Sequence, residues 1–202
     1  MKRYIIFIIS ILFLLNLKAD PGGGYPGSYL NMGVNATSLS MGRAGVAMPN
    51  RGAPMYNNPA GLAFSTGRLA EFNYFFLSLD RNMHYTGLST PVEPTAGLGM
   101  AWIHAGVDDI QGRSGTGNKT RTYETGQNTF ILSMANAFFE DFALGISIKL
   151  LRNDMLDISA EGVGIDIGML YKVTDNITLG AQVRDINSGY RDSLNFFVRF
   201  FF

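Results

Sequence analysis

The chain has 202 residues, of which 47% are hydrophobic, 16% charged and 24 are glycine; it contains no cysteine and has a formal net charge of zero. The length suits a single domain. Lack of cysteine excludes a disulfide framework, a thiol nucleophile and a lipid-modified N-terminal cysteine, and the charge balance leaves no electrostatic footprint for a nucleic-acid partner. So low a charge content beside 12% aromatic residues departs from the usual water-soluble domain, in which about a quarter of residues are charged.

The first segment, "MKRYIIFIISILFLLNLKAD", carries Lys2 and Arg3 before an apolar run from Tyr4 to about Leu17, with Ala19 as a cleavage point. This is the layout of a secretory signal peptide over 1–19. Its run is short of the roughly 20 apolar residues that a spanning helix needs. Removing it takes Lys2, Arg3 and Lys18 from the 16 basic side chains and none of the 16 acidic ones, leaving the exported chain with a balance of −3.

Residues 20–66 form a lead-in distinct from the rest. The glycine- and proline-rich start is irregular, and "NATSLSMGRAGVA" predicts a short helix from about Thr37 to Met41, with Asn35 as cap and Gly42 as terminator. The stretch "YNNPAGLA" comes next, and Tyr56, Asn58, Pro59, Ala60 and Gly61 stand out in it. Asn58 precedes a proline, so it is expected to be extended, with a side chain free to cap the turn that begins there. Pro59 suits a first helical position and Gly61 a break that ends the turn. The expected product is one rigid turn that reverses the chain into the first strand near Arg68. An ordinary capped turn and a ligand gate both fit it.

From Arg68 onward the period is two, the strand signal. About eight strands are expected, near 68–79, 82–91, 95–107, 127–138, 142–153, 160–173, 177–187 and 194–202. In "FALGISIKLL", Phe142, Leu144, Ile146, Ile148 and Leu150 share one face, and Ala143, Gly145, Ser147 and Lys149 the other. The strands around Ile165 and Val183 repeat the arrangement. Lys149, Asp166, Gln182 and Arg184 all fall on small-residue faces.

Segments of about ten alternating residues fit a transmembrane β-barrel, the expected fold class. A soluble antiparallel sandwich alternates in the same way, with its apolar face buried. Three features favour the barrel. Connections alternate between short ("PVEP", "ED", "TDN") and long (108–126, around 152–160, 187–193). Phe138, Phe139, Phe142 and Tyr171 gather beside short turns, as aromatic belts do. The last stretch, "LNFFVRFFF", resembles the insertion signal of outer-membrane barrels read by their assembly machinery. In a barrel the four polar residues would face the lumen, either tuning passage of a solute or locking a packed interior.

Catalytic chemistry is not encoded in a recognisable pattern. His84 and His104 lie in predicted strands without the convergent partners that metal ligation or general-base catalysis requires. "GTGNKT" is interrupted by Asn118 and precedes no helix, so it reads as a flexible loop and not a phosphate cradle. Asp108 and Asp109 read as solvated loop acids more readily than as a Ca²⁺ site. No enzyme, cofactor or metal site is expected.

Residues 29–64, "YLNMGVNATSLSMGRAGVAMPNRGAPMYNNPAGLAF", resemble the opening of the PorV/PorQ-type outer-membrane proteins, which are related to the FadL long-chain fatty acid transporters. Gly33, Ala36, Leu39, Met41, Gly42 and Ala44 match a first family block. Tyr56, Asn58, Pro59, Ala60, Gly61, Leu62 and Ala63 match a second. The family's acidic pair between the blocks is replaced by Asn50 and Arg51, so no role tied to it carries over. The resemblance implies a non-enzymatic barrel in the outer membrane of a Gram-negative-type bacterium, with residues 20–66 plugging the lumen of strands 67–202. It also implies partners: outer-membrane lipid, the barrel-assembly machinery, and either secretion components, as in type IX secretion, or a hydrophobic ligand. A structural or adhesive surface barrel is the third possibility. FadL-like barrels have fourteen strands against the eight counted here, so either the chain is part of a larger barrel, which its sequence near 187–199 favours, or it closes as a small one.

Overall fold

The computed structural model describes residues 27–49, 52–155, 158–174, 176–190 and 199–201. The expected signal peptide, Asn50, Arg51 and most of the terminal aromatic stretch lie outside the described residues. Eight antiparallel strands follow one another as a meander in a single sheet, each hydrogen-bonded to its neighbour in sequence. They are β1 (Leu69–Leu77), β2 (Arg81–Val92), β3 (Ala96–Arg113), β4 (Lys119–Phe139), β5 (Phe142–Met155), β6 (Ile158–Thr174), β7 (Ile177–Tyr190) and β8 (Arg199–Phe201). Among the described residues no ladder joins β8 to β1, so the sheet is open.

Two strands outrun their expected ends. The stretch 108–126, expected as a long connection with a flexible loop at "GTGNKT", is mostly a hairpin: β3 continues to Arg113, β4 starts at Lys119, and only 114–118 turn. Here both faces are polar, so period two has nothing to display. The stretches near 152–160 and 187–190 are likewise strand where described.

The two faces of the sheet are inverted relative to a protein folded in water. On β5, Ala143, Gly145, Ser147, Lys149 and Leu151 are buried while Leu144, Ile146, Ile148 and Leu150 are exposed. The same holds on β3, where Gly97, Gly99, Ala101 and Ile103 are covered and Leu98, Met100 and Trp102 are not. On β1, Phe76 is 91% exposed. An aqueous antiparallel sheet covers its large apolar side chains and wets its polar ones.

What covers the small-residue face is the N-terminal segment. It contains a 3-10 turn (Ser28–Met32), helix α1 (Ala36–Ser40), helix α2 (Pro54–Asn57) and a second 3-10 turn (Pro59–Phe64). Helix α1 forms as the sequence suggests: the Asn35 side chain accepts from the Ser38 amide at 2.9 Å, and Gly42 closes it at φ 66°. Leu30, Val34, Met55, Tyr56 and Leu62 of the segment make one apolar core with Met83, Tyr85, Ile103, Ile131 and Leu151 of the sheet. All these side chains are at most 5% exposed, each the kind of burial that contributes about 1.5–3 kcal/mol.

Candidate functional site

The junction of the segment with β5, β6 and β7 gathers the residues that the sequence singles out. Asn58 is extended (φ −167°, ψ 109°), as its proline neighbour requires, and its Oδ1 accepts from the Ala60 amide at 3.1 Å. The Asn58 carboxamide also reaches outward. Its Nδ2 donates to the carbonyls of Val46 (2.7 Å), Met169 (3.0 Å) and Ala181 (3.4 Å). Met169 and Ala181 face each other across the β6–β7 ladder. One buried side chain thus caps a turn and ties it to two strands.

Such closeness depends on missing side chains. A Cβ on Gly168 would overlap Asn58 Oδ1, and one on Gly145 would overlap the backbone of Pro59 and Ala60. Gly61 has a different role from the expected break. The 3-10 turn runs through it to Phe64, and it is buried with the Pro49 carbonyl 2.7 Å from where a Cβ would stand. Its smallness permits packing within the segment and does not end the turn.

Lys149, Asp166, Gln182 and Arg184 come together on the covered face of the sheet, beside this turn. Lys149 Nζ lies 2.8 Å from Asp166 Oδ2 and 2.8 Å from Asp185 Oδ1, and Asp166 is fully buried. Gln182 Nε2 approaches Asp166 Oδ2 at 3.5 Å, while its Oε1 accepts from Arg184 Nε at 2.8 Å. Arg184 then leaves the sheet. Its Nη2 donates to the Tyr56 carbonyl at 2.9 Å and the Asn57 carbonyl at 3.4 Å, and its guanidinium lies 4.6 Å from the Tyr56 ring centre. It therefore satisfies the open carbonyls that end α2, where a cation is favoured. Tyr56, in turn, donates its hydroxyl to the Leu30 carbonyl. The arrangement holds parts in place. Its acids and bases are saturated by one another, and among the described residues no group of three or more His, Asp or Glu side chains is placed to hold a metal.

Two contributors escape a reading by alternation. Asp185 should share the outer face with Val183. A register shift between the Ile165/Ile186 and Ile167/Val183 pairs, with Asp185 at φ 55°, turns it to Lys149 and lets its amide donate to Asp166 Oδ1 at 2.9 Å. A bulge of this kind re-aims a side chain. A lone acid in an apolar series was its only signal. Glu71 is the second: it accepts from Asn35, from Asn73 (2.8 Å) and from the Ala53 amide (3.2 Å) that opens α2, pinning the segment to β1.

On β2 to β6 the opposite, exposed face has sharp limits, which Phe76 of β1 overruns. Five residues paired in one row across β2 to β6 (His84, His104, Asn128, Arg152 and Glu161) are polar or charged. The next row towards the short turns is Thr86, Trp102, Phe130, Leu150 and Val163, and apolar rows continue from there. On β5 the apolar run covers 142–150, about 26 Å of strand at ~3.3 Å per residue. Aromatic rings mark both limits. His84 contacts Trp102 (4.7 Å between centroids) and His104 (4.9 Å), and Trp102 stacks near Phe130 at 6.2 Å. At the other end Phe138 and Phe142 lie 6.5 Å apart. Trp102 Nε1 donates to Asn128 Oδ1 at 3.1 Å, so its polar edge points to the polar row. The two histidines sit in this boundary, on the face opposite the Lys149 network. Set against models of known protein families and against curated proteins, the sequence matches none.

Proposed function

We propose that this chain is a non-enzymatic outer-membrane β-barrel protein of the PorV/PorQ–FadL-like group, serving transport or secretion across the outer membrane of a Gram-negative-type bacterium. The observation that carries the reading is the inverted sheet: a continuous, exposed apolar face on one side, and small and polar residues covered by the N-terminal segment on the other. Lipid is the solvent in which such a face is at its lowest free energy. The apolar run on β5 is nine residues, 142–150, against the roughly nine to eleven that a spanning strand uses, and the rings at both limits match interfacial belts. The Asn58 turn and its surroundings supply the plug. In lipid every backbone group must be paired, so the reading requires strand partners along the edges of β1 and β8. Its immediate partners are then outer-membrane lipid and the barrel-assembly machinery, with secretion components as the functional ones.

The test is fractionation of cells producing the full chain, followed by electrophoresis with and without boiling. The protein is expected in the outer-membrane fraction, with a mobility that changes on boiling. Recovery in the soluble fraction with identical mobilities would overturn the proposal. A gene-deletion strain then separates the roles, since loss of exported proteins from the medium supports secretion and loss of fatty-acid uptake supports the transporter.

A further inference from the structure

Arg184 stands between two demands. It is adjacent in sequence to Asp185 and is linked through Gln182 to Asp166, yet it spends its guanidinium on the segment: the Tyr56 and Asn57 carbonyls and the Tyr56 ring. It does so while Lys149 occupies both carboxylates at 2.8 Å. A guanidinium bonds a carboxylate more strongly than it bonds a neutral carbonyl. Were the two acids released from Lys149, they would outcompete the backbone of α2 for Arg184.

We infer that Lys149, Asp166, Asp185 and Arg184 form an interlock. Lys149 keeps the carboxylates occupied, which leaves Arg184 free to hold the N-terminal segment against the sheet, and withdrawal of Lys149 transfers Arg184 to the acids and undocks α2. The charges that face one another here are two cations and two anions, and Gln182, Asn57 and the Tyr56 ring complete the surroundings. The bulge at Asp185 has a purpose in this scheme. It brings the second carboxylate to Lys149, which a single Asp166 would hold less firmly, and places it next to the alternative cation. The state of a charge cluster in the wall thereby sets whether the segment is held.

The chain has no cysteine, so one reporter thiol can be read without background. Val34→Cys, at a buried position of the core shared by segment and sheet, is treated in the full-length protein with a water-soluble maleimide. Circular dichroism follows the sheet in parallel. In K149M the labelling rate is expected to rise about tenfold or more, the scale of losing charge-assisted hydrogen bonds to the segment, with the sheet signal retained. R184M should give the same rise. In the triple variant K149M/D166N/D185N no carboxylate is left to capture Arg184, so labelling should return to within about threefold of the parent rate. A triple variant labelled as fast as K149M would overturn the interlock, because loss of Lys149 packing alone would then explain release. Collapse of the sheet signal in K149M would also overturn it, by making Lys149 a fold determinant rather than a guard on Arg184.

Discussion

Replacing Gly168 with alanine adds one methyl group, and the geometry assigns it a large effect. The new Cβ would stand on top of Asn58 Oδ1 and 2.9 Å from Pro59 Cδ. Asn58 cannot yield cheaply, because its carboxamide oxygen receives the Ala60 amide and its nitrogen serves three carbonyls. Overpacking a tight site costs about 1–3 kcal/mol. Displacing the carboxamide adds the loss of a cap and of one or two further hydrogen bonds, at about 1 kcal/mol each. The sum is about 3–6 kcal/mol. Gly126→Ala is the matched control, since its Cβ would meet only His104 Cε1 at an ordinary 3.5 Å. There the change should be neutral, or stabilising by up to about 1 kcal/mol through reduced chain entropy. Denaturant unfolding of the reconstituted protein, followed through the fluorescence of its single tryptophan, Trp102, measures both. If Gly168→Ala lies within about 0.5 kcal/mol of the parent, as surface changes do, the close docking of the segment on β6 is wrong.

Asn58→Asp keeps the acceptor for Ala60 but loses both donors and turns a carboxylate towards the Val46, Met169 and Ala181 carbonyls. It should destabilise by about 2–4 kcal/mol in the same assay, and more than Asn58→Ala, which a pure capping role would not produce. Ile148→Lys places a charge amid the exposed apolar rows. In a bilayer this should cost about 2–4 kcal/mol, whereas Thr122→Lys in the projecting β3–β4 hairpin should change stability by less than about 0.5 kcal/mol. Equal, near-zero effects at the two positions would indicate that water wets Ile148.

Much of this architecture is legible in the alternation of residues, because each strand from β3 to β7 has one face of large apolar side chains and one of mostly small or polar ones. The local chemistry of Asn58 is legible too, since an asparagine before a proline has few ways to behave. Other parts could not be read this way. The hairpin beyond Val107 is polar on both faces, so its strands look like loop. Asp185 reaches Lys149 only through a bulge, and a register shift of one residue inverts every expectation drawn from period two. Gly61 looks like a terminator, yet its requirement is space beside Pro49, which only the folded segment imposes. Glu71 finds its partners in a segment distant in sequence, and no local pattern announces them.

In the proposed function the exposed face of the sheet lies in lipid. Fluorescence quenching by lipids brominated at defined acyl depths tests it most directly, on reconstituted vesicles. Trp102 beside the polar boundary row is compared with Ile146→Trp in a Trp102→Phe background, about 13 Å along the strands from the Trp102 row at ~3.3 Å per residue. Shallow bromines are expected to quench Trp102 best and deep bromines the tryptophan at 146. Absence of quenching at both positions, with free access to an aqueous quencher, would contradict it.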